Sequence, residues 1–467
     1  MSTLDYRNIP QERLATTDAE GNRLHIIPAI ARGVWATRKN AVHGVLLLFL
    51  LILPWITISG KPAVLLNIPD REFTFFGLSL YAHDGPLIFF LLIIAALSLV
   101  LVTIIWGRVW CGWACPQTVF IEGVFRRIER LLIGDRPQQI AFYNSPLSMS
   151  KVSKLATKWL LFIIASIVIS HTLVAYFVGK DNLFRMMSAP PSESWTVFVI
   201  MMFVTGVILF DFVWFREQFC IIMCPYGRLQ GLFLDKNSIT IAYDEKRGEP
   251  RGKISEKKGG DCVDCYRCVA VCPTGIDIRK GQQLECIGCT ACIDACNDVM
   301  TKMKKPINLI SYRSLKDLEG YSTRFLRPRP IVFATALLAL IITFVTILSR
   351  RDEVNVAVLR AIDTPYSEVT ENDVIYISNH FKLNIKNQSS KPIFLEVSLP
   401  PTAIEKGFQI APQNLKLPLV AQQHLEFPLF IKKEKSLLPA GIKSEELFIE
   451  IKNSNVIEHH KVVFISP

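Results

Sequence analysis

No cysteine occurs before residue 111 or after residue 296. A disulfide framework running the length of the chain is therefore excluded. Whatever the cysteines do, they do it within one interval. The N-terminal residues lack the pattern of a cleavable signal peptide, so the first apolar run, near Ala41, reads as a retained anchor. No nucleic-acid motif accompanies the formal charge of +11. In a chain with long apolar runs, a basic excess more simply marks cytoplasmic loops. The C-terminal part has no Cys…Trp…Cys signature.

What is present is apolar and clustered. Half of the 467 residues are hydrophobic although 20% are charged, and the mean hydropathy is +0.32. Five runs are long enough to cross a bilayer: Ala41–Ser59, Pro86–Trp106, Trp159–Val178, Trp195–Phe215 and Ile331–Leu348. Pro54 is expected to kink the first. The 60–85 and 179–194 loops each hold two Lys or Arg, while the 107–158 loop is rich in them, from Arg108 to Lys158. That bias places the N-terminus, the 107–158 loop and the 216–330 segment in the cytoplasm, and residues 352–467 in the periplasm of a Gram-negative cell. The lack of thiols in the exported part agrees.

Residues 352–467 alternate apolar and polar at Phe381, Leu383 and Ile385, at Leu425, Phe427, Leu429 and Ile431, and at Leu447, Ile449 and Ile451. Short alternating strands between Pro- and Asn-rich breaks predict an immunoglobulin-like sandwich. Its histidines, His380, His424, His459 and His460, form no evident ligand set, and a docking or lid role is the simplest reading.

Cys262, Cys265, Cys268 and Cys272 follow C-x2-C-x2-C-x3-C-P. Cys286, Cys289, Cys292 and Cys296 repeat it, with Asn297 in place of Pro273. This is the bacterial ferredoxin run for two [4Fe–4S] clusters, in which the fourth cysteine of each run serves the other cluster. We expect Cys262, Cys265, Cys268 and Cys296 to hold one cluster, and Cys286, Cys289, Cys292 and Cys272 the other. Zinc sites take cysteine pairs from separate places, and disulfides do not call for two matching runs.

A second cysteine system lies at the ends of the second and fourth spans: Cys111 and Cys115 before Pro116, and Cys220 and Cys224 before Pro225. Each follows a pair of spans, so the pattern reads as an internal repeat that brings its equivalent sites together. Four cysteines at i, i+4 spacing could then form a soft-metal site for copper, zinc or a further cluster, or act as a dithiol. Buried packing is the plainer role for either pair alone. His171 and Asp211 are ionisable residues inside spans three and four. A haem would need a second axial ligand, for which His43 is the other histidine in a span; a packed, hydrogen-bonded His171 is the simpler reading. Met186, Met187, Met201 and Met202 could touch copper, but packing accounts for them more simply.

The whole is a multi-domain membrane protein: an α-helical transmembrane bundle of five spans, a two-[4Fe–4S] ferredoxin-type domain and a C-terminal all-β immunoglobulin-like sandwich. Its expected parts are a cytoplasmic tail (1–40), a four-span membrane domain (41–235), a cytoplasmic ferredoxin domain (236–330), a fifth transmembrane helix (331–348) and a periplasmic domain (352–467).

The stretches WCGWACPQTVFIEG, CIIMCPYGRLQG and DCVDCYRCVAVCPTGIDIRKGQQLECIGCTACIDAC, followed by the all-β domain, resemble the cytochrome c oxidase accessory family called CcoG, FixG or RdxA. The likeness runs over nearly the whole chain. It implies a bacterial inner-membrane protein supporting maturation of cbb3-type oxidase, with reduction of Cu(II) to Cu(I) as the proposed activity. Implied partners are a cytoplasmic electron donor, copper, oxidase assembly factors and membrane lipid, with no nucleic acid. The eight ferredoxin cysteines would bind the clusters, and Cys111, Cys115, Cys220 and Cys224 would form the copper or redox site. The missing proline after Cys296 leaves the ligand assignment intact. Two other classes remain open at this point: a membrane quinol dehydrogenase, and a scaffold that holds copper without reducing it.

Overall fold

The computed structural model describes residues 25–467 apart from 59, 70, 81–83, 253–258, 351–353, 363, 372, 388–391, 414, 421–422, 439–442 and 454–455. Among the described residues, five helices are long and apolar enough to cross a membrane: Val34–Trp55, Gly85–Trp106, Met149–Val178, Trp195–Phe215 and Pro328–Ser349. The first differs from its expected bounds at both ends. Pro54 does not kink it. The α-helix stops at Ile52, a single turn covers Leu53–Trp55, and the chain passes into a strand at Thr57. A proline lacks the N–H that a continuing helix needs. The expected end at Ser59 falls outside the described residues.

At its start the helix begins at Val34, seven residues early. The free N–H groups of Trp35 and Ala36 donate to the two carboxylate oxygens of Asp294, at 3.3 and 2.6 Å. Asp294 belongs to the ferredoxin helix Ala291–Lys302. Such an N-terminal cap contributes about 1 kcal/mol, and it keeps the polar stretch Thr37–Asn40 helical. Gly33 leaves room for the carboxylate, because a Cβ there would stand 2.4 Å from the Asp294 side chain. The described part of the expected tail is thus packed. Ile26, Ile27 and Ala29 are buried, and Ala29 donates its N–H to the Ala270 carbonyl. Residues 1–24 lie outside the described part.

The third helix starts at Met149, ten residues before its apolar run, capped by the Ser148 hydroxyl. The fourth closes in a wider π turn at Asp211–Phe215. Between the first two helices a three-stranded sheet, Val64–Asn67, Glu72–Phe75 and Leu78–Leu80, buries Leu65 and Leu80.

Residues up to Val345 form one compact unit, and Thr346–Pro467 a second. The ferredoxin segment therefore does not stand apart from the spans. It is closed by an antiparallel pair, Thr240–Tyr243 with Ile310–Arg313. Ile239 donates its N–H to the Ile105 carbonyl at the end of the second helix, and Arg327 reaches the neighbouring Ile104 carbonyl. Charges seal the junction. Arg216 bonds both oxygens of Glu129, at 3.1 and 2.7 Å. Arg126 pairs with Glu122 and Glu217, and donates to the Pro273 carbonyl beside Cys272. Arg126 and Arg136, counted above as loop cations, are in fact buried structural groups.

The second unit is the expected sandwich. One sheet orders Phe408–Ala411, His424–Glu434, Val374–Asn387 and Val354–Arg360, with Ser367–Glu371 also on Val374–Asn387. The other orders Leu415–Leu419, Ile393–Ser398, Ser444–Asn453 and Val456–Ile465. The alternation read from the sequence sets the register: Phe381 faces Leu429, Leu383 faces Phe427 and Ile385 faces Leu425. All of these pack into one core with Ile449 and Ile451.

Candidate metal centres

The two ferredoxin runs adopt the same backbone. The residue just before the second cysteine is left-handed in both, Asp264 with φ 50° and Gly288 with φ 69°. So is the residue after the second cysteine, Tyr266 with φ 56° and Thr290 with φ 65°. Successive turns of this hand point backbone N–H groups into one concavity, as an anionic cluster requires. After each, a helix begins: Arg267–Ala270 carries Cys268 and ends before Cys272, whereas Ala291–Lys302 carries both Cys292 and Cys296.

Two small hollows result. Cys262, Cys265, Cys268 and Cys296 line one. Cys272, Cys286, Cys289 and Cys292 line the other, with Cys268 also on its wall. The fourth cysteine of each run thus stands in the hollow of the opposite run. Four sulfurs per hollow and matched backbones fit two [4Fe–4S] clusters in crosswise ligation. All twelve cysteines of the chain are free. Burial raises the thiols of Cys286 and Cys296 to about 12, and those of Cys268, Cys289 and Cys292 upward as well. Bare thiols here would stay protonated and inert, whereas iron displaces the proton. Arg279 borders the first hollow, held by Asp277 and Asp264 and lying over the Tyr266 ring at 4.2 Å.

The four membrane-proximal cysteines converge. Burial pushes Cys111 up to about 11 against the pull of Arg108, and Cys115 and Cys224 lie close enough to add to it. Burial raises Cys220 further, with Cys115, Cys111 and Cys224 all contributing. Each C-x3-C-P motif makes the bend that allows this. Cys115 and Cys224 are extended residues just before the proline that opens the next short helix. Asp211 joins the two repeats by accepting from Gln117 at 3.0 Å, next to Pro116. Among the described residues no three Cys, His, Asp or Glu side chains are drawn in tightly enough to cage one ion.

Two residues that the sequence did not single out, Gln230 and Gly112, complete this site together with His43. Gln230 is fully buried, accepts from the Cys111 sulfur at 3.6 Å and has an amide nitrogen without a partner. A thiolate is an acceptor, so a Cys111 that loses its proton to a metal would satisfy this N–H once the amide turns over. The orphan donor thus fits a metal-loaded state. Gly112 brings the two cysteine systems together. A Cβ there would meet the Ile287 carbonyl at 2.6 Å and the Cys289 backbone at 2.8 Å. Cys111 packs in the same apolar cluster as Cys289. His43, buried in the first helix, sets its Nε2 3.3 Å from the Gly112 carbonyl. The signal for Gly112 and Gln230 was their place inside the quoted motifs.

His171 is not brought to the site; its Nδ1 bonds the Ile167 carbonyl of its own helix at 2.8 Å. Met201 is buried, Met186 half-buried, and Met187 and Met202 exposed; none lines a ferredoxin hollow.

Comparison with known proteins agrees with this anatomy. A family model described as a 4Fe-4S dicluster domain matches residues 215–315, and one described as a 4Fe-4S binding domain matches 87–133. The model for the IG-like fold at the C-terminus of FixG matches 344–467. Protein RdxA of Cereibacter sphaeroides is 36% identical over 386 residues, covering 79% of this chain and 81% of RdxA. The chain belongs to the FixG/RdxA family. Protein RdxB of the same organism is 34% identical over 406 residues, 82% of this chain and 83% of RdxB. Nitrogen fixation protein FixG of Rhizobium meliloti is 37% identical over 311 residues, 63% of this chain and 58% of FixG. This FixG/RdxA-type polyferredoxin is a membrane iron–sulfur electron-transfer protein. Both C-x3-C-P motifs fall within stretches that match 4Fe-4S domains.

Proposed function

We propose that this polyferredoxin is a cupric reductase of the bacterial inner membrane that supplies Cu(I) for assembly of cbb3-type cytochrome oxidase. The ferredoxin segment faces the cytoplasm in this reading and residues 352–467 the periplasm. One observation carries the reading. The Gly112 backbone lies against Cys289, a cysteine of the second ferredoxin hollow, while Cys111 beside it belongs to the four-thiol group. When bound, the clusters supply storage and transfer of single electrons.

The residues divide the work. The eight ferredoxin cysteines hold the clusters. Cys111, Cys115, Cys220 and Cys224 receive Cu(II) as substrate, and thiolates favour Cu(I), which pulls the reduction forward. Gln230 steadies Cys111 by a hydrogen bond to sulfur.

Anaerobic purification with metal analysis, EPR and a Cu(I)-specific chelator tests this. We expect iron near eight per chain, given two four-iron clusters, and Cu(I) formed from Cu(II) by the reduced protein. Copper bound with no change of oxidation state would leave a scaffold instead.

A further inference from the structure

A cavity of about 410 Å³ lies where the second span meets the ferredoxin segment. Trp106 and Arg108 at the end of that span form one side. The turn Gln282–Leu284, with Cys286 and Tyr312, forms another. A second cavity of about 380 Å³ shares Thr240, Gln282 and Leu315 with it, so the two make one groove. The size is that of a small-molecule site. Nothing in the function proposed above uses it.

Its position and chemistry narrow the ligand. Cys286 is one of the four cysteines of the second hollow, so a molecule in the cavity touches the protein beside that centre. The lining is amphipathic. Trp106 and Leu284 are large, apolar and about half exposed or more, at 48% and 62%. Polar groups stand among them: the Arg108 guanidinium, whose buried Nε has no partner, and the Tyr312 hydroxyl, 3.0 Å from the Gly288 carbonyl. Tryptophan at a span end marks the membrane–water interface. An iron–sulfur centre accepts one electron at a time. A hydride donor cannot deliver to it directly, and a protein donor does not fit a cavity of this size. A hydroquinone ring meets both conditions, since it is planar, has polar edges and releases its two electrons singly.

We propose that this cavity is the electron-entry site and binds a hydroquinone ring, from a membrane quinol or a reduced flavin. The proposal rests on the cupric-reductase reading for its terminal acceptor. The balance is one hydroquinone oxidised to the quinone form, two protons released to water, and two electrons leaving past Cys286 to reduce two Cu(II) to two Cu(I). The same chemistry holds for either source; the span-end position makes the membrane quinol accessible without leaving the bilayer.

The test uses the anaerobically purified holoprotein. A photoreactive azidoquinone is cross-linked and its position mapped by mass spectrometry. A short-chain naphthoquinol and photoreduced flavin mononucleotide are tried separately as reductants, with bleaching of the cluster absorbance as readout. We expect labelling of the Trp106–Arg108 or Gln282–Leu284 peptides, competed by unlabelled quinone, and bleaching by at least one hydroquinone. Whichever one bleaches names the source. Gln282→Trp, filling the groove, and Leu284→Asp, making its rim polar, should each lose both labelling and hydroquinone-driven bleaching. Dithionite should still reduce the clusters in both variants, which shows that they are folded. Bleaching of the variants at the unaltered rate, or no reduction of the unaltered protein by either hydroquinone, overturns the proposal. Failure of dithionite-reduced protein to reduce Cu(II) overturns the cupric-reductase reading alone and leaves the cavity to be judged by its labelling.

Discussion

The two cysteine systems of this chain solve opposite problems. The eight ferredoxin cysteines sit in two hollows shaped by matching left-handed turns, each hollow taking its fourth cysteine from the opposite run. The four membrane-proximal cysteines are half-buried, gathered from two span ends, and bordered by a buried amide with a spare donor. The difference teaches that thiol number alone does not define a site; the backbone that gathers the thiols does.

The largest effect should separate the two systems. Cys272→Ser removes one ligand from the hollow of Cys286, Cys289 and Cys292 and none from that of Cys262. Iron should fall from about eight to about four per chain, with one EPR signal lost and the other intact. Cys296→Ser should do the converse. Loss of the Cys262 signal in Cys272→Ser would contradict crosswise ligation.

Next comes the junction that presses the systems together. Glu129→Ala leaves Arg216 buried and unpaired, at a cost of about 3–5 kcal/mol. Burial alone would raise the Glu129 carboxyl, but Arg216 outweighs it and holds it at about 2. A depressed carboxylate stabilises above its unfolded value of 4.5, and that stability is lost as pH falls toward 2. Thermal unfolding followed against pH should therefore steepen below 4.5 in the unaltered protein and less so in Glu129→Ala.

A smaller effect tests the contact itself. Gly112→Ala forces the Cys289 backbone to shift, and overpacking of this kind costs about 1–3 kcal/mol. Both cluster signals should survive while Cu(II) reduction slows. The smallest effect concerns Gln230. Gln230→Leu removes the donor to Cys111 and should weaken copper affinity with the cluster spectra unchanged, whereas Gln230→Asn should retain part of it. Equal affinities in both variants would reduce Gln230 to packing.

Much of this was legible in the chain. The ligand sets follow from spacing, because a cubane fixes how far apart cysteines stand along the backbone. The sandwich register follows from alternation at Phe381–Ile385 and Leu425–Ile431, because a pleated strand buries every second residue. Other features had no local signature. The Asp294 carboxylate caps a helix more than 250 residues earlier in the chain, and neither end announces the other. Gln230 reads as an ordinary helix residue until Cys111 is seen against it. The helix of the first span starts ahead of its apolar run because its first turn is held by that distant cap. Loop composition also hid the burial of two of its cations, Arg126 and Arg136, which are spent inside the structure.

The most direct test replaces Cys111 and Cys115 together with Ser, then mixes the dithionite-reduced protein anaerobically with Cu(II). Cu(I) is read with a specific chelator and the clusters by EPR. The account predicts that both ferredoxin signals remain and that Cu(I) formation is lost. Cu(I) formed at the unaltered rate by that variant would contradict it and return the C-x3-C-P cysteines to a structural role.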